Sequence, residues 1–138
     1  PVFLKRYGLK TTLLVGMAAW AIRYLLFAYG DAGAGVWMLF SGILLHGICY
    51  DFFFVSGQIY TDYKAGEKIK SSAQGLITLA TYGVGMLVGF WLAGKIYDHY
   101  TDVAGAQDWK MIWTITAGIA AVVMVLYAMV FKNEKINT

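Results

Sequence analysis

Four long apolar runs alternate with short polar stretches along the chain: residues 11–29 (TTLLVGMAAWAIRYLLFAY), 36–61 (opening VWMLFSGILL), 72–97 (SAQGLITLATYGVGMLVGFWLAGKIY) and 109–131 (WKMIWTITAGIAAVVMVLYAMVF). At 1.5 Å per residue each run is long enough to cross about 30 Å of hydrocarbon. In lipid a lone segment must satisfy its own backbone hydrogen bonds, so the pattern predicts helices and not strands. Buried helices of a soluble all-α protein are the alternative, but four runs with almost no polar face argue against it. The expected fold class is all-α integral membrane, with four transmembrane helices.

Composition strengthens this reading. Of 138 residues 59% are hydrophobic and only 14% charged, against about 25% charged in a soluble domain. So little charge cannot coat a water-facing surface. The net charge of +3 is scattered and forms no patch for nucleic acid. The single Cys49 excludes a disulfide framework and a thiolate metal site within the chain. The chain opens PVFLKRYG, with neither an initiator Met nor a signal-peptide pattern, which reads as part of something longer.

Loop charge predicts orientation. Lys5, Arg6 and Lys10 precede the first run, Lys64, Lys68 and Lys70 lie in the 62–70 linker, and Lys132 and Lys135 lie in the tail. The intervening loops GDAGAG (30–35) and DHYTDVAGAQD (98–108) hold no Lys or Arg, with only Lys95 and Lys110 flanking them. Both ends and the 62–70 linker are therefore expected in the cytoplasm. In the third run Gly85, Gly89 and Ala93 make a small-residue stripe, expected to let another helix pack closely and compatible with bending.

Three ionisable residues lie well inside a span: Arg23, His46 and Asp51. A central Arg or Asp costs about 2.5–3.5 kcal/mol on insertion scales, so each is expected to face a cavity or a partner. His46 and Asp51 belong to the run HGICYDFFFVSGQ (46–58), near the middle of the second helix. Arg23 lies about 10 Å below the outer end of its helix and Asp51 about 22 Å below the outer end of its own. That offset argues against a direct Arg23–Asp51 pair and sets Arg23 level with Gly42 to His46, unless it snorkels outward.

At about 100° per residue, His46, Tyr50, Phe53 and Gly57 form one stripe, and Asp51 and Gln58 a second, with Phe54 between them. An imidazole, a phenol, a carboxylate, a carboxamide and several rings on one broad face suit a ligand with a flat ring and hydroxyls. Singly, His46 can be a helix-bonded histidine and Asp51 a structural partner for another helix. No phosphate-binding loop, metal-ligand spacing or nucleophile elbow is present, so neither an enzyme nor a cofactor is expected; Asp98 and His99 read as a solvated loop.

The stretches AWAIRYLLFAYGD (19–31), HGICYDFFFVSGQIY (46–60), KSSAQGL (70–76) and TYGVGMLVG (81–89) resemble the C-terminal part of bacterial nucleoside:proton symporters of the major facilitator superfamily. The resemblance runs over essentially the whole chain. FLKRYGLK (3–10) is similar to the superfamily's basic loop, without its usual preceding acid. It implies that the four helices are the last four of a twelve-helix fold, in the bacterial inner membrane, importing nucleosides by proton symport through alternating access about a midplane cavity. The partners implied are the nucleoside, protons, the lipid bilayer and the missing N-terminal helices.

By the same resemblance His46 and Tyr50 match positions that present an aromatic or hydroxylated side chain to the nucleoside, and relatives can have Tyr where this chain has His46. Tyr50 with Phe53 or Phe54 is expected to pack on the base, His46 to bond base or ribose, and Asp51 or His46 to carry the coupling proton. A carrier of another small polar solute such as a sugar is the runner-up. A non-transporting four-helix scaffold would not need the polar stripe.

Overall fold

The computed structural model describes residues 2–103 and 105–132. Lys135 of the basic tail lies outside the described residues. The described chain is helical: α1 (Val2–Tyr29), α2 (Val36–Tyr50), α3 (Ser56–Thr78), α4 (Met86–His99) and α5 (Trp109–Val130). Wide π-helical turns at Asp51–Val55 and Leu79–Gly85 join α2 to α3 and α3 to α4 without a loop. One isolated antiparallel bridge, Thr101 to Gln107, closes the turn before α5.

Three helical stretches are long and apolar enough to cross a membrane: Arg6–Tyr29, Val36–His99 and Trp109–Val130. The second of these carries both the second and the third expected spans and the linker between them. That linker, expected as a polar loop, is helical and broken at one residue, Gly66, with φ 66 and ψ 172. This backbone region is essentially confined to glycine, because a Cβ there would clash with the neighbouring peptide. The two sides of the break meet again: Gln74 Nε2 donates to Gln58 O at 2.8 Å and to Asp62 Oδ1 at 2.6 Å. Lys70 Nζ lies 3.2 Å from Asp62 Oδ2. The arms before and after Gly66 therefore run side by side.

The FLKRYGLK segment, expected as a loop, forms the start of α1, kinked at Gly8 (φ 81). The kink turns Leu4 and Leu9 inward, where they bury with Leu13 against Phe53, Ile59, Tyr60, Tyr127 and Phe131. Helix α1 is the hub, packed against both α2 and α5. Lys10 Nζ reaches Ala128 O (2.5 Å) near the end of α5, while Tyr24 and Phe27 meet Trp113 near its start, at 5.8 and 5.2 Å between ring centres. The two helices are thus antiparallel.

Little else is buried. Leu44 is 79% exposed, Leu87 71%, Phe90 71% and Met129 77%. At about 1.5–3 kcal/mol for burying such a side chain, a water-soluble protein would not leave so many outside. These faces are suited to lipid or to further helices.

The small-residue stripe faces an open groove. Gly85, Gly89 and Ala93 line a groove of about 810 Å³, opposite Trp20, Tyr24 and Trp113. A Cβ on Gly89 would meet nothing within 4 Å. Helix α4 meets α5 near its end, where the Tyr97 and Trp109 ring centres are 6.1 Å apart, and among the described residues no helix fills the stripe.

Candidate functional site: an aromatic row at a wide helical turn

The wide turn begins at Asp51, inside the HGICYDFFFVSGQ run. A π turn bonds i to i+5 and widens the helix locally, a feature often found at functional sites. No proline or side-chain cap marks it. It has a neighbour instead: Gly16 of α1 lies so close that a Cβ there would be 3.2 Å from both Phe52 Cβ and Phe53 N. A Cβ at this position would require the backbone of the turn to give by a few tenths of an ångström.

The turn sends successive side chains to different places. His46, Tyr50 and Phe54 form a continuous row, with ring centres 6.4 Å and 5.3 Å apart. Tyr82, from the wide turn of the other arm, completes it. Its ring stacks on Phe54 at 5.4 Å and 26°, and its hydroxyl lies 3.2 Å from that of Tyr50. Trp20 of α1 meets Phe54 edge-on at 5.7 Å. His46, Tyr50 and Tyr82 are exposed in this chain.

Phe53, expected on the stripe of His46 and Tyr50, turns towards Trp20 at 5.3 Å and packs on the leucine core. Phe54 takes the place beside Tyr50. Gln58 is farther along, lining a cavity of about 550 Å³ with Asp62, Lys70 and Gln74. Asp51 is exposed and lines a separate cavity of about 310 Å³ with Phe3, Thr12 and Ser56. Among the described residues its carboxylate has no salt bridge or hydrogen bond. The expected residues therefore occupy three surfaces: the row, the Asp51 cavity beside it, and the Gln58 cavity at the reversal.

Arg23 is at the level the depth estimate gives for Gly42 to His46. Its Nη1 lies 2.9 Å from His46 Nδ1, and its Cζ lies 5.2 Å from the centre of the Phe27 ring. Among the described residues its buried Nε has no hydrogen-bond partner. Tyr82, Trp20 and the wide turns were not singled out from the sequence as site features. A tyrosine in the middle of an apolar span was the available signal for Tyr82. Nothing in local spacing announces the turns.

At the reversal, Gln74 donating to the carboxylate, reinforced by Lys70, holds Asp62 below its ordinary carboxylate range. No cluster of three or more metal-ligating side chains occurs among the described residues.

Comparison with known proteins gives one consistent answer. A family model described as nucleoside H+ symporter matches residues 1–136. The chain is 39% identical to the xanthosine permease of Escherichia coli over 96% of its own length and 32% of the permease. It is 42% identical to the putative nucleoside transporter YegT of Escherichia coli, over 97% of this chain and 33% of that protein. Among solved structures it is similar to a mutant of the nucleoside transporter NupG, with a TM-score of 0.87 and 34% identity over 96% of this chain and 33% of that one. The chain spans about a third of the length of the curated relatives it matches.

Proposed function

The chain belongs to the nucleoside H+ symporter family, a family of membrane transporters and not of enzymes, and on that premise we propose that it supplies the last four of twelve helices of a major facilitator carrier. The whole protein imports nucleosides with protons across the bacterial inner membrane by alternating access. The carrying observation is the row His46, Tyr50, Phe54 and Tyr82, with polar tips on a ring-lined surface at a wide turn in an otherwise apolar helix. Such a surface takes the flat face of a base while hydrogen bonds orient the ribose.

Length and reversal support the span count. Val36–His99 has 64 residues, about 96 Å if straight, which is three times the hydrocarbon thickness. Doubled at Gly66, it crosses twice, giving four crossings in all. The excess of Lys in the 62–70 segment and near both ends supports a cytoplasmic position for those parts.

In this reading Tyr50 and Phe54 pack on the base, braced by Tyr82, and His46 bonds the nucleoside. Phe53 holds the turn against α1, and Gln58 ties the inner end of the wall to the second arm. Asp51 carries the coupling proton. It has no cation beside it among the described residues, and when the cavity closes to water a bound proton removes the cost of an unpaired buried charge. Opening to the other side returns water and releases it. The two halves of the full protein rock about this fixed site.

The test is proton-coupled uridine and adenosine uptake by the full-length protein. Both His46→Ala and Asp51→Asn are expected to abolish it at unchanged membrane abundance, and free ribose is expected not to compete. Unchanged uptake in both variants overturns the site.

A further inference from the structure

We propose that Arg23 is a positioning residue: it fixes His46 as the neutral tautomer with its hydrogen on Nε2, so the ring meets the nucleoside as a hydrogen-bond donor. The donor role rests on the site proposed above; the tautomer rests on this chain's geometry.

The argument begins with what a guanidinium can do. It has five N–H donors, no acceptor, and keeps its proton under all ordinary conditions. Nη1 lies 2.9 Å from His46 Nδ1, within hydrogen-bonding distance. Arg23 must therefore donate, and Nδ1 must offer a lone pair. A neutral imidazole that accepts through Nδ1 carries its one hydrogen on Nε2.

The pairing is held by the helices and not by a flexible reach. Phe27, one turn beyond Arg23 on α1, presses on α2 at Gly42, where a Cβ would come within 2.6 Å of Phe27 Cε1. Gly42 precedes His46 by one turn of α2. Two one-turn steps, Arg23 to Phe27 and His46 to Gly42, thus face each other across antiparallel helices like rungs. Trp113 braces Phe27 from α5 at 5.2 Å, and the ring supports the guanidinium at 5.2 Å.

The consequence is chemical selectivity. Nε2–H reads an acceptor: a base carbonyl, an unprotonated ring nitrogen or a ribose oxygen. An exocyclic amine in the same place would set donor against donor. A tyrosine hydroxyl can give or take a hydrogen bond, whereas this ring can only give. The same lone pair is also the one a transported proton would need, which leaves Asp51 to carry it. The ionisable or polar side chains in contact with His46 among the described residues are Arg23 from α1 and Tyr50 from its own helix.

The experiment uses the full-length protein with ¹⁵N-labelled histidine, the His46 signals being assigned by their loss in His46→Gln. The parent is expected to show the Nε2–H tautomer. Arg23→Leu is expected to give a mixture of tautomers, and Arg23→Lys, which still donates, to keep Nε2–H even where the leucine variant does not fold. Uridine binding gives the second readout. His46→Gln sets an amide where Nε2 stood and is expected to bind within about threefold of the parent. His46→Asn sets it where Nδ1 stood and is expected to lose about two- to tenfold, the worth of one hydrogen bond. An Nδ1–H or doubly protonated ring in the parent overturns the role of Arg23, even if His46→Ala and Asp51→Asn abolish uptake. The Nε2–H tautomer together with uridine binding indifferent to His46 and Asp51 overturns the donor role through failure of the proposed site.

Discussion

Replacing Gly16 with leucine should displace the wide turn that shapes the site. A Cβ at position 16 would lie 3.2 Å from Phe52 Cβ and Phe53 N and 3.3 Å from Phe52 C. Two of these three atoms are backbone, so no side-chain rotation relieves the contact. Alanine has the one extra carbon to place, and about 1 kcal/mol of helix propensity gained over glycine offsets a shift of a few tenths of an ångström. Gly16→Ala is therefore expected to stay within about 1 kcal/mol of the parent. Leucine adds three more carbons to a position already buried, and overpacking of this kind costs about 1–3 kcal/mol. If the strain moves the Asp51–Val55 turn, the same energy appears as lost affinity, up to about two decades in Kd. The assay pairs thermal inactivation in detergent with uridine binding by the full-length protein. Gly16→Leu with parental heat resistance and parental affinity would refute the argument that α1 is pressed against the turn.

Other expectations follow from single contacts. Tyr82→Phe keeps the stack on Phe54 but removes the 3.2 Å hydroxyl contact with Tyr50, so uridine affinity should fall about two- to tenfold with no loss of abundance. Gly66→Ala forces a side chain into a glycine-only backbone region, φ 66 and ψ 172, and should cost about 1–3 kcal/mol in thermal or denaturant stability. Asp62 is held below its ordinary range by Gln74 and Lys70, so its stabilising effect is fully present above the unfolded value of about 3.9 and is lost as pH falls through the lower folded value. Asp62→Asn should accordingly lower heat resistance at pH 7 and make little difference in stronger acid; a deficit that persists unchanged there would contradict the ionic account.

The apolar runs were legible because lipid and helix geometry impose a length and a composition that nothing else in a sequence imitates. The level of Arg23 was legible for the same reason, since rise per residue converts position into depth. What the sequence concealed came from contacts between helices. A stripe computed at 100° per residue assumes a uniform helix, and the wide turn at Asp51–Val55 breaks that assumption where the chemistry lies. Phe53 goes to the leucine core and Phe54 to Tyr50 and Tyr82, while both rings meet Trp20. The turn coincides with the close approach of Gly16, 35 residues earlier than Asp51 in the chain, beyond any local pattern. The stripe of Gly85, Gly89 and Ala93 was readable as a flat surface, but its opposing face lies across a groove.

The reversal at Gly66 makes the doubled helix mechanically uneven. Near the bend the two arms are stapled by Gln74 to Gln58, Gln74 to Asp62 and Lys70 to Asp62, and farther out by the Tyr50 and Tyr82 hydroxyls. Beyond Gly85 no hydrogen bond ties Met86–His99 to the first arm among the described residues; the groove lies between it and α1, and Tyr97 near its far end meets Trp109 of α5 at 6.1 Å between ring centres. The pair is a tuning fork, stapled at its root, with one tine held only near its tip by the Tyr97 and Trp109 rings among the described residues. A sideways swing of that tine breaks no polar staple, while its pivot falls at the Leu79–Gly85 turn that carries Tyr82. Displacement at the far end is thus delivered, with short leverage, to the ring that backs Phe54.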